Sequence, residues 1–377
     1  MTDLHEFLSP INISILNDDR SYNDRQFANT IKVKVYEDQL PDLEGIEIVI
    51  VGMNEFRGSG IKNGPDAANA IRKQLYKLYN WHPDVSIADI GNIICGSSVN
   101  DSYAAIKIVA KELLQQGKTM VLLGGSHDLT LGQYFAYKDS NQLIEATVVD
   151  AGIDLMSDSY QRTDNFLLEM LTSEPNVVKH YNHIGFQSYF VHPDMLETMD
   201  KLRFDCYRVG IAKERLEEME PVLRNSNLLS FDISAIRHSD APASKCSPNG
   251  FTGEEACNLL RYAGLSHSLS SLGIFGYNPD DDIQNLTAIQ IAQMFWYYID
   301  GKSRSKQEAD LQDRASFNEF HTVIAGVDTI FLQSKKTSRW WMQLPDKKFI
   351  ACSYNDYLFP SNNEIPERWL RAQERDI

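Results

Sequence analysis

MVLLGGSHDLTLGQYF (residues 120–135) and IEATVVDAGIDL (144–155) are built alike: each opens with an apolar run that stops at glycine or acid. Val121, Leu122 and Leu123 end at Gly124-Gly125, and Ala146 to Val149 end at Asp150. Short apolar runs closed in this way read as buried parallel strands. In an open α/β sheet the ligand crevice lies beyond the carboxyl ends of such strands. His127, Asp150 and Asp154 are therefore expected to meet in one crevice. One imidazole with two carboxylates is a donor set suited to a metal ion.

Working outward, the same grammar recurs. GIEIVIV (45–51) is a strand followed by a glycine-rich loop whose spacing does not fit a dinucleotide fingerprint. Residues 65–79 read as a helix opened by Pro65, with Ala68, Ile71, Leu75 and Leu78 on one face. A second amphipathic helix spans 100–116, and helices are also expected at 129–137, 165–172, 193–202, 214–223 and 287–298. LLSFDI (228–233) is a strand ending in acid, and 272–275 is a late strand. TGEEACNLLRYA (252–263) opens with a Thr-x-x-Glu capping box. Alternating strands and helices call for a mostly parallel sheet with helices on both faces.

The chain divides by composition into an arm (1–44, mixed and polar, expected to be loosely structured and packed on the main body), a main domain (45–330) and an extension (331–377). The extension carries Trp340, Trp341, Tyr354, Tyr357, Phe359 and Trp369, and is expected to pack on the main domain. The net charge of −16 over 377 residues disfavours nonspecific nucleic-acid binding. No apolar run is long enough to cross a membrane. The five cysteines are scattered, without CxxC spacing, so neither a disulfide framework nor a thiolate zinc site is expected. The N-terminus has no basic and apolar leader pattern. A reducing, cytoplasmic setting follows as the expectation.

Four motifs now stand in order: GGSHD (124–128), DAGID (150–154), SFDIS (230–234) and GYNP (276–279). Together they resemble the ureohydrolases, the arginase/agmatinase/formiminoglutamase family, whose pattern is GGDHS, DAHxD, SxDxD and a glutamate just before a hydrophobic-Asn-Pro. NGPDAANAIRKQL (63–75) is similar to the family's GPxAIRxxL helix, IADIGN (87–92) to its DxGD strand end, and NGFTGEEA (249–256) to its GLTxxEA helix start. The resemblance runs from about Ile46 to about Ile299, and DISAIRHSDAP (232–242) is closest to the formiminoglutamase branch.

The resemblance implies a three-layer α/β/α fold, a homo-oligomer and a site with two manganese ions bridged by hydroxide. Residue by residue, it makes His127, Asp150, Asp154 and Asp232 metal ligands. It also shows vacancies. The second metal's histidine falls on Gly152, its private aspartate on Ser234, and the substrate-side glutamate on Gly276. Near the arginases' proton-shuttle histidine stand Asp164 and Asn165. One divalent cation, manganese favoured, or none is the cofactor expectation.

Three clustered aspartates need compensation, because unpaired buried charge is costly. A cation held with His127, an inserted base such as Arg237 or Lys245, or a protonated carboxylate would each supply it. His238, which follows the strand bearing Asp232, is the further histidine to watch, ahead of His180, His183, His192 and His267. Two functions remain open. One is hydrolysis of a C–N bond in a small amidino or formimino compound with a single metal site and impaired or altered activity. The other is a non-catalytic protein of the same fold with a structural, sensing or assembly role, its crevice empty and closed by the Trp340-Trp341 segment.

Overall fold

The computed structural model describes residues 4–16, 21–244 and 247–375. Lys245 and Cys246 lie outside the described residues. Ten strands form one sheet: β1 (Leu8–Ser9), β2 (Lys32–Val33), β3 (Ile48–Gly52), β4 (Ile87–Ile93), β5 (Thr119–Leu123), β6 (Ile144–Val149), β7 (Val178–Phe186), β8 (Asp205–Arg208), β9 (Leu228–Asp232) and β10 (Ser271–Phe275). The order is β1-β4-β3-β5-β10-β9-β6-β7-β8, with β2 also on β4. Every pairing is parallel except β1 on β4.

Side chains alternate across the sheet, as strand geometry demands. Ile48 and Ile50 enter one core, Val49 and Val51 the other. The first core is covered by helices Ala67–Leu75, Met219–Asn225, Gly253–Gly264 and Leu286–Ser305. The second is covered by Val99–Gln115, Thr130–Asp139, Phe166–Thr172 and Pro193–Lys201. This is the expected three-layer α/β/α arrangement. The capping box at Thr252 is formed, with the Thr252 hydroxyl accepting from Glu255 N at 3.1 Å and the Glu255 carboxylate accepting from Thr252 N at 2.7 Å. The four described cysteines, Cys95, Cys206, Cys257 and Cys352, are free thiols. Among the described residues no helix is long and apolar enough to cross a membrane.

Two expectations change. The N-terminal arm is not loose over its described residues. Leu8 and Phe27 are fully buried, and β1 and β2 extend the sheet beyond β4. Strands of two residues are too short to show a periodicity. The expected helix at 214–223 is broken into a 3₁₀ turn (Leu216–Glu218) and a short helix (Met219–Asn225).

The C-terminal region forms a separate antiparallel sheet: β11 (Phe317–Ile324), β12 (Val327–Ser334), β13 (Trp340–Gln343) and β14 (Phe349–Cys352). The expected seam at 330/331 falls inside β12. A domain boundary does not cut a hydrogen-bonded hairpin, so we propose the seam in the 306–316 connection. Phe320, Trp340 and Tyr357 stack on one face, with centroids 5.0–5.2 Å apart. Arg224 fixes this sheet to the main body. It donates to Trp340 O at 2.9 Å and Cys352 O at 3.3 Å, pairs with Glu220 at 3.0 Å, and sits 4.4 Å from the Trp341 ring centre.

Beneath the main sheet's edge, the GPxAIRxxL-like helix and the IADIGN strand are joined by a buried ion pair. Arg72 Nε and Nη2 meet the Asp89 carboxylate at 2.8 and 2.9 Å, and Tyr76 donates to it at 2.8 Å. The remaining guanidinium donors reach Asn69, Asn92 and Gly91 O. The two motifs are thus one structural unit.

Candidate metal centre

β5, β10, β9 and β6 are adjacent and parallel, so their carboxyl ends share one rim. The loop after β5 carries His127, the end of β6 Asp150, the end of β9 Asp232, and the turn after β10 Gly276. A cleft of about 530 Å³ opens there, lined among others by His127, Asp150, Asp154, Asp164, Asp232 and Ser234. A larger cavity, about 640 Å³, lies under the C-terminal sheet, away from the carboxylates.

His127 Nδ1 lies 3.2 Å from Asp150 Oδ2, 3.2 Å from Asp154 Oδ2 and 3.8 Å from Asp232 Oδ2. Ligand atoms of His127, Asp150 and Asp154 lie within 4.8 Å of one another. Its other nitrogen, Nε2, is 2.9 Å from Ser230 Oγ, which is itself 2.6 Å from Thr130 Oγ1. Phe166 packs edge-on against the imidazole at 4.7 Å. The ring is held from behind and turned toward the carboxylates, as a ligating histidine requires.

Electrostatics follow from crowding. Burial works against the imidazolium, yet the hydrogen bonds to Asp150 and Asp154 raise the His127 pKa well above its usual value. Burial and the Asp150 charge push Asp154 up to about 8. Burial and Asp150 likewise raise Asp232 to about 6. Burial opposes ionisation of Asp150, but the hydrogen bond from His127 and its charge hold that carboxyl at about 2. With no cation bound, the cluster therefore keeps protons on His127 and Asp154 near neutral pH.

Arg237 does not compensate the cluster. Its Nε pairs with Asp240 at 2.9 Å, three residues along the same loop. Lys245, the other candidate base, is outside the described residues. His238 Nδ1 faces Ser244 O at 3.1 Å rather than the carboxylates. His180 pairs with Asp205 at 2.9 Å, and His192 accepts at the start of its helix. His183 lies under Asp150, donating to Asp150 O at 3.2 Å, and burial lowers it to about 4. His267 is not among the residues lining the cleft.

The vacated positions differ in kind. A Cβ at Gly152 would meet only Asp154 Oδ1, at 4.0 Å, so the space for a side chain is still there. Ser234 donates its hydroxyl to Asp150 Oδ1, and its backbone N donates to Asp232 Oδ1 at 2.7 Å. Gly276 is closed instead. Its φ is +79°, and a Cβ would come within 2.6 Å of Asp232 Oδ2. A glutamate cannot replace this glycine without a change of backbone.

Ser126 donates to Glu55 O at 3.2 Å. Asp128 is buried and accepts from Tyr103 Oη. The Trp340-Trp341 segment does not close the crevice. Both residues sit in β13, and Trp340 lines the other cavity. The reading of sequence missed Ser230 and Thr130. Ser230 precedes Asp232 by two residues on a strand, so both point to the same face.

Comparison with known proteins agrees with this fold. Residues 45–300 match the profile of the arginase family. The formimidoylglutamase of Lysinibacillus sphaericus is 29% identical over 253 residues, covering 63% of this chain and 77% of that protein. That of Staphylococcus haemolyticus is 24% identical over 254 residues, covering 64% and 79%. The crystal structure of Trypanosoma cruzi formiminoglutamase with manganese superposes with a TM-score of 0.65 at 16% identity, over 74% of this chain and 99% of that one. Bacillus subtilis formimidoylglutamase gives 0.64 at 16% identity, over 76% and 95%. The C-terminal sheet, from Phe317 onward, lies beyond the family match. With the ordered motifs, the rim of strand ends and the match over most of its length, this chain belongs to the arginase family.

Proposed function

We propose that the protein is a formiminoglutamase-like hydrolase that cleaves a C–N bond of a small amidino or formimino compound, using one divalent cation where its relatives' pattern provides for two. The observation that carries this reading is the contrast around His127. His127 Nδ1 lies 3.2–3.8 Å from three carboxylates, while Gly152 offers no donor and the Ser234 hydroxyl is engaged by Asp150. A nitrogen-and-oxygen donor set of this kind fits one manganese ion. His127, Asp150, Asp154 and Asp232 would hold it.

When bound, such an ion lowers the pKa of a coordinated water and so supplies a nucleophile at neutral pH. The protein's own groups do the rest. Ser230 and Thr130 keep the imidazole oriented. Ser234 fixes Asp150 through its hydroxyl and Asp232 through its backbone N–H. Asp164 lies at the cleft wall and accepts from Ser159 Oγ at 2.6 Å. Impaired or altered activity relative to a two-metal site follows from this reading. A homo-oligomer is proposed on the family likeness alone.

The test is manganese content after incubation and desalting. About one ion per chain is expected. Gly152→His with Ser234→Asp should raise this toward two, since the space at residue 152 is open. About two ions in the unaltered protein would sink the single-site reading, and none would remove the hydrolase reading with it.

A further inference from the structure

The cavity of about 640 Å³ at the seam between the main body and the C-terminal sheet is lined by charge of both signs, kept apart. Its carboxylates come from one segment: Glu217 and Glu218 on the 3₁₀ turn Leu216–Glu218, and Glu220 on the helix that follows. Its bases come from elsewhere. Arg261 stands on helix Gly253–Gly264, Arg304 on helix Leu286–Ser305, and Lys336 and Arg339 in the connection from β12 to β13. The whole chain has 52 acids to 36 bases, yet here the bases lead four to three.

Part of this charge is spent locally. Arg339 pairs with Glu308 at 2.8 Å and Glu220 with Arg224 at 3.0 Å, all four side chains being largely buried. The rest is not. Arg261 and Arg304 aim Nε at one and the same carboxylate, Asp300, at 2.8 and 3.0 Å, and His82 reaches it at 3.3 Å. Two guanidinium groups on one carboxylate leave a positive surplus, and both keep their terminal N–H donors. On the acidic side Glu217 is exposed, and Glu218 accepts from the neutral amide of Asn355, a bond that leaves its charge in place. Tyr262 stands between the two sets. Burial raises its hydroxyl, Glu220 and Glu217 raise it further, and Arg261 lowers it. Among the described residues no ion pair joins the acidic wall to the basic one.

We propose that this cavity binds a small zwitterion, a compound with a carboxylate at one end and an ammonium group at the other. Arg261 and Arg304 take the carboxylate, because a guanidinium fork matches its two oxygens, and Lys336 adds to the positive field. Glu217 and Glu218 take the ammonium group. The rings of Tyr262, Trp340 and Tyr354 also line the cavity and give the carbon chain between the charges an apolar wall. Its volume lies within the range of about 300–1,000 Å³ usual for small-molecule sites. A molecule of one sign would satisfy one wall and be repelled by the other. The occupant touches helices of the main body and the C-terminal sheet together, at the seam that Arg224 holds.

The test is calorimetric titration of the 377-residue chain with glycine, 4-aminobutanoate and 6-aminohexanoate, beside hexylamine and hexanoate as probes of single charge. At least one zwitterion is expected to bind about tenfold or more tightly than either single-charge probe. The same zwitterion should raise the unfolding midpoint, since it binds the folded chain alone. Arg304→Ala and Glu217→Gln, both at exposed side chains, should each weaken it about two- to fivefold with an unchanged circular dichroism spectrum. Asp154→Asn, in the cleft at the strand ends, should leave its affinity unaltered. Hexanoate or hexylamine binding as tightly as every zwitterion overturns the proposal in favour of a site for one sign of charge. No binding of any zwitterion overturns it as well. So does binding that Asp154→Asn abolishes and Arg304→Ala spares, because the probe then sits in the other cleft.

Discussion

Two of the buried ionic clusters among the described residues treat charge in opposite ways. At Arg72 a single cation meets a single carboxylate, and every remaining guanidinium donor finds an oxygen. At His127 one imidazole faces three carboxylates. The first cluster is complete and needs nothing from solution. The second is balanced only by protons or by something bound. A buried ion group closed on itself is scaffold, and one left unbalanced at the strand ends of a parallel sheet is a site.

The contrast can be broken most forcefully at the closed cluster. Arg72→Met should leave Asp89 buried without its partner and lower unfolding free energy by about 3–5 kcal/mol in urea titration. A loss below about 1 kcal/mol would show that the pair is not a fixed structural unit. At the open cluster the larger effect should appear in metal affinity rather than stability. Ser230→Ala removes the partner of His127 Nε2, and a drop of about 10–100-fold in manganese affinity is expected by competition titration. Unchanged affinity would mean that Phe166 and the loop alone orient the ring.

The smallest expected effect is in protons. His127 has a raised pKa and Asp154 one of about 8, so both hold protons at neutral pH in the metal-free protein. A ligating histidine and carboxylate must give them up. Manganese uptake at pH 7 should therefore release protons, and affinity should rise with pH through about 8. Titration in buffers of different ionisation enthalpy measures this. A pH-independent affinity would show that the cluster is already deprotonated. The closed pair at Arg72 should show no such exchange.

Much of this contrast is written in the sequence. Strand ends closed by glycine or acid gave the rim, and Asp150 and Asp232 stand at its edge for that reason. Thr252 and Glu255 announce their helix start by spacing alone. What stays hidden depends on partners distant in the chain. The hydrogen bond between Ser230 and His127 spans 103 residues. Arg237 looks like a free base until Asp240 is seen to take it. The strands at 317–334 escape notice because β11 is largely solvent-facing, with burial only at Phe317 and Ile324. The difference between Gly152 and Gly276 cannot be read from two glycines at all. It lies in a backbone angle and in what a Cβ would meet.

Arg224 has a wider consequence. Its charge faces Glu220 from its own helix, two carbonyls from the C-terminal sheet and the ring of Trp341. Remove that sheet and the main body is left with an arginine that keeps Glu220 but loses two carbonyl partners and the face of Trp341. The appended sheet is therefore no detachable module. It is joined to the main body as a keystone is to an arch, and a single unfolding transition in calorimetry is the expected outcome.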